Sequence, residues 1–189
     1  MLTIQEVRSI FQYQRDQKPS TFQKIFMAYY LAMGPGLILL ALILLFVKDI
    51  SLSLLWVLGV IHCGLSFYFL NDLHNDKVCA RLMLDALDHQ GAGLVWIYRE
   101  HTMTMQGTYQ AITFHFYFEN KHHGSISGTF DRITNLMNFF TTNYRHLSVG
   151  YTDALKKQFR RSPAALIAHP QRLGEIKIVT VDNSQANGW

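Results

Sequence analysis

Four cations toward the C-terminal end are the first candidates for chemistry. Lys156, Lys157, Arg160 and Arg161 form two like-charge i,i+4 pairs, and no acidic residue stands between Ala154 and Gly174. On a helix such pairs cost a few tenths of a kcal/mol, whereas beside an anionic leaflet each cation gains about 1 kcal/mol. These four are candidate lipid- or partner-binding residues, with an ordinary solvated helix face as the competing reading. Nucleic acid is disfavoured as a partner, because no aromatic stacking platform stands beside the cluster. His62 is the one readily ionisable side chain deep inside a long apolar stretch, which makes it a functional candidate. No second acid or base lies there to pass a proton onward, which favours a neutral His62 facing a neighbouring helix. Gly34-Pro35-Gly36 removes a backbone hydrogen bond and lets a helix bend. The bend is either a functional kink or the place where a second helix packs closely.

Other chemistry is harder to build. The chain holds no P-loop, HExxH, CxxC or dinucleotide fingerprint. Ser148 lacks the leading glycine of a nucleophile elbow and reads as a connector serine. Nine histidines invite a metal. His122 and His123 are adjacent in a turn, however, and with His115 on the neighbouring strand they lack the spacing and supporting carboxylates of a dedicated site. Asp72, His74 and Asp76 read as solvated groups, and Asp85 and Asp88 are no better placed. The expectation is a non-enzymatic protein with no catalytic residue, cofactor or metal.

Elements must position these groups. The 189 residues are 49% apolar and only 16% charged, with a net charge of +4 and a mean hydropathy of +0.07. That composition excludes a disordered chain, and two cysteines exclude a disulfide scaffold. Ile25–Val47 and Ile50–Asn71 are uncharged runs of 23 and 22 residues, separated by Lys48-Asp49. The first would make a helix of about 34 Å against a hydrocarbon core of about 30 Å, so the pair predicts an antiparallel transmembrane hairpin of residues 25–47 and 50–71. Aromatics flank it as an interfacial belt would: Phe22, Phe26, Tyr29 and Tyr30, then Phe67, Tyr68 and Phe69. Arg8, Arg15, Lys18, Lys24, Lys77 and Arg81 outside the hairpin, against Lys48 at its tip, orient both termini toward the cytoplasm. The expected location is the bacterial inner membrane, with neither Cys63 nor Cys79 in a disulfide.

Residues 1–24 read as a cytoplasmic amphipathic helix and a link. Thr3 and Glu6 make a capping box, and Ile4, Val7, Ile10 and Phe11 share a face that rests on the membrane or on the C-terminal domain. Residues 72–90 continue as a helical stalk that Gly91-Ala92-Gly93 ends. Residues 91–170 then read as a cytoplasmic α+β domain. Leu94–Tyr98 is an apolar run suited to a strand covered on both faces, Thr102–Met105 alternates, and Ile112–Phe118 alternates most clearly. Residues 119–124 turn, and Ser125–Phe130 returns. The result is an antiparallel meander of four to five strands, closed by a helix carrying Ile133, Leu136, Met137 and Phe140 and by a short helix capped by Thr152. Ile176–Val181 offers one more strand, and residues 171–189 include a loose tail.

A helical hairpin, then Val95-Trp96-Ile97-Tyr98, a meander, an amphipathic helix and Gly150-Tyr151-Thr152 before a short basic helix resembles small bacterial membrane proteins with a cytoplasmic PH-like domain. The resemblance covers most of residues 25–162 and implies a PH-like barrel. Such a barrel needs about seven strands before its helix, so a simple α+β sandwich stays open. It implies no catalytic residue. The expected function is a membrane-anchored interaction or regulatory protein that contacts membrane lipid and an unknown protein partner. An immunity protein against a membrane-acting toxin is the alternative. A third reading is a small homo-oligomeric transport component, with His62 and the Gly34-Pro35-Gly36 bend lining a path.

Overall fold

The computed structural model describes residues 2–17, 21–44, 53–104, 109–173 and 176–181. The chain forms two compact units, one of residues 1–15 with 76–189 and one of residues 16–75. The expected tip at Lys48 and the tail from Asp182 lie outside the described residues.

The larger unit is α+β and is built on one mixed sheet. Strands β1 (Leu94–Thr104), β2 (Tyr109–Phe118) and β3 (His123–Gly128) run antiparallel in sequence order. The alternation at Thr102–Met105 is therefore not a separate strand over its described part, because β1 runs unbroken to Thr104. On the edge of β1 away from β2, two short strands pair in parallel: β4 (Ser148–Val149) at Trp96–Ile97 and β5 (Lys177–Val181) at Glu100–Thr104. The sheet has five strands, within the expected four to five, but the all-antiparallel meander is corrected to three antiparallel strands and two parallel additions.

Alternation divides the sheet into two faces. Leu94, Ile97, Ile112, Phe114, Phe116 and Phe118 fill one side. A register shift between Leu94 and Trp96 inserts an extra residue opposite β2, which sends Trp96 to the other side together with Tyr98. The first side is covered by α1 (Ile4–Asp16), the C-terminal part of α3 (Ser53–Asp88) and α4 (Phe130–Asn143). Val7 and Phe11 of α1 are fully buried, and Phe11 meets Phe116 edge-on at 5.6 Å. Thus α1 rests on the domain. The segment expected to be a stalk buries Cys79, Ala80, Met83 and Ala86 in the same core. It ends at Gly91, whose φ of +85 suits glycine. Helices α5 (Asp153–Arg161) and α6 (Pro163–Ala168) cover part of the second side through Leu155, Phe159 and Leu166.

The smaller unit holds α2 (Thr21–Leu44) and the N-terminal part of α3. The expected transmembrane hairpin, and with it the integral membrane location, is overturned. Among the described residues, no helix is long and apolar enough to cross a membrane. The uncharged runs are not uniformly apolar. Tyr29, Tyr30, Gly34, Pro35 and Gly36 dilute the first, and Gly59, His62, Gly64 and Ser66 dilute the second. Residues 45–52, which the hairpin also needed, lie outside the described residues.

Candidate interaction site

Helix α5 is short, and its ends and buried face fix its orientation. Thr152 caps it, its side-chain oxygen accepting from the Leu155 amide at 3.1 Å, and Asp153 sits in the first turn, where the helix dipole favours an acid. Leu155 and Phe159, one turn apart, bury against the sheet. At 100° per residue, positions 156, 157, 160 and 161 then share an arc of roughly 140° turned away from that buried face. Lys157, Arg160 and Arg161 are exposed and Lys156 is half-buried. Among the described residues none of the four has an ion-pair partner. The sequence-predicted cluster is thus brought onto one surface.

Beneath α5 lies a tier of rings that the sequence reading named only piecemeal, Trp96, Tyr98 and Tyr151 in two short motifs and His115 and His123 as metal candidates. Direct cross-strand neighbours stack in rows: Trp96 on Tyr117 at 4.6 Å, Tyr117 on His123 at 5.4 Å, and Tyr98 on His115 at 4.7 Å. Trp96 donates its indole N–H to the Gly150 carbonyl at 2.6 Å. Tyr151 meets Tyr98 edge-on at 5.0 Å, and the Tyr98 and Tyr117 hydroxyls lie 3.2 Å apart. Burial raises both tyrosine pKa values. The next row is charged: Glu100 Oε2 accepts from Lys177 Nζ at 2.5 Å and lies 3.6 Å from His115 Nε2. That imidazole nitrogen is buried without a hydrogen-bond partner among the described residues, and burial pulls the His115 pKa down to about 4. The available signal was the type of the off-core residues on β2. Thr113, His115 and Tyr117 alternate with the core phenylalanines, yet two of the three are rings.

The other singled-out residues sit elsewhere. His62 Nδ1 donates to the Leu58 carbonyl at 2.8 Å, and its ring lies 5.3 Å from Tyr30. Gly34 lets α3 approach: a Cβ there would stand 2.6 Å from Cys63 Sγ, whereas at Gly36 it would meet nothing. Pro35 lies inside α2. His123 and His115 share a sheet face, and His122 is exposed on the neighbouring turn. Ser148 is buried, accepting from the Gln171 amide at 3.1 Å. Asp88 pairs with Arg8, and Asp85 contacts His89 at 3.1 Å. Comparison with protein families, with characterised proteins and with solved structures gives no match.

Proposed function

We propose that the chain is a non-enzymatic interaction module that docks an anionic partner surface on the outer face of α5. The observation that carries this reading is the set of four cations on one arc, held by a capped and buried helix and without ion-pair partners among the described residues. Solvated like charges at this spacing work against the helix. A partner rich in carboxylate or phosphate removes that repulsion and gains salt-dependent attraction. The apolar side chains that α2 and α3 expose, among them Ile25, Leu39, Val57 and Phe67, add a second surface of the kind that marks contact sites.

The test is affinity capture with the full-length tagged chain from its native host, beside a variant carrying Lys156→Glu, Lys157→Glu, Arg160→Glu and Arg161→Glu. A stoichiometric partner should be recovered with the native chain and lost both with the variant and at raised salt. The variant's melting temperature should stay within a few degrees, because these side chains point away from the core. Recovery of the same partners by both chains, or of none by the native chain, sinks the reading.

A further inference from the structure

We propose that β5 is a strap latched onto the outer edge of β1 by the Glu100 carboxylate, and that it opens while the rest of the sheet stays formed. One edge of β1 is paired with β2 over nearly its whole length, while among the described residues the other carries the two residues of β4 and the five of β5. β5 enters its pairing at Lys177, opposite Glu100. At that entry point Lys177 Nζ lies 2.5 Å from Glu100 Oε2, with the two side chains 30% and 18% exposed. The same ammonium stands 5.3 Å above the Tyr151 ring, and the His115 ring lies beside the carboxylate, its Nε2 3.6 Å from Glu100 Oε2.

Beyond this latch the strand is lightly held. Ile178 is 61% exposed, Val179 is only half-buried, and no described β5 side chain belongs to either hydrophobic cluster. The chain just before it is fixed: the Val149 amide donates to the Gln171 carbonyl at 2.7 Å, and the Leu173 amide donates to the Val149 carbonyl at 2.8 Å. A segment with backbone pairing, one ion pair and little apolar burial sits at the low end of local stability. Its release bares the outer backbone groups of β1 from Glu100 to Thr104, an edge of the kind that accepts an added strand.

Hydrogen exchange read by mass spectrometry on the full chain tests this. Lys177→Met removes the cation and keeps an aliphatic stem; Glu100→Gln keeps the carboxylate's shape. Each should speed exchange about fivefold or more at residues 177–181 and at the β1 amides facing them, leaving β2 and β3 protected. Because both variants delete the shared ion pair, the double variant should exchange clearly more slowly than the two single effects combined would give. Unchanged exchange in Lys177→Met overturns the latch. So does a rise spread equally over β2 and β3, or an additive double variant.

Discussion

His115 stands on β2 with the Tyr98 ring stacked on it and the Glu100 carboxylate 3.6 Å from its Nε2. Burial lowers its pKa to about 4; Glu100 opposes the shift, and Lys177 and His123 reinforce it. The unfolded chain takes up this proton below about pH 6.5, whereas the folded chain waits until about pH 4. Stability is therefore complete above pH 6.5 and declines as the pH falls toward 4, by on the order of 3 kcal/mol. Urea midpoints between pH 4 and 7 should show that slope in the native chain and a much flatter one in His115→Phe. An equal slope in the variant assigns the proton elsewhere. At this scale the sequence disclosed little. His115 showed its place in an alternating strand, but its depth depends on Tyr98 and Lys177, which are contributed by other strands. Gly150 was visible only as part of an aromatic patch. Its φ of +95 and its carbonyl bond to Trp96 needed the fold.

Helix α1 was the most legible element. Its capping box closes in both directions, the Thr3 amide donating to Glu6 Oε2 at 2.7 Å and the Glu6 amide to Thr3 Oγ1 at 3.3 Å. The apolar spacing marked Val7 and Phe11, and the structure buries both. Phe11→Ala should cost about 3–5 kcal/mol, because the ring is fully enclosed between Phe116 and Phe140. A loss under about 1 kcal/mol by denaturant titration would mean that α1 is peripheral. Thr152→Ala should cost about 1 kcal/mol, through its cap on α5. Strand β1 was misread for a physical reason. Leu94–Tyr98 and Thr102–Met105 read as separate stretches, yet the two charges between them find partners across the fold: Arg99 lies over the Phe130 ring at 5.9 Å, and Glu100 meets Lys177. The parallel pairings of β4 and β5 join residues dozens of positions apart, and no local pattern encodes them.

For the molecule as a whole, the division into two units separates what each substitution disturbs. Gly34→Val should push α2 and α3 apart at Cys63, raising the alkylation rate of that thiol several-fold. Cys79 should stay unreactive, being fully buried with its pKa raised to about 11. An unchanged Cys63 rate would show that this glycine contact does not shield it. The charge-free runs correctly marked two long helices, and the membrane reading failed because lack of charge is not the same as sustained apolarity. Tracing the larger unit along the chain also separates the order of synthesis from the order of assembly. Phe11 leaves the ribosome roughly 130 residues before Phe140, the last of the two rings that enclose it. At about 5–20 residues per second that is an interval of roughly 6 to 26 seconds. Throughout that interval the apolar face of α1 lacks the core that will cover it, and a segment of 13 residues, too short to hold a stable helix by itself, waits for its partners to be made.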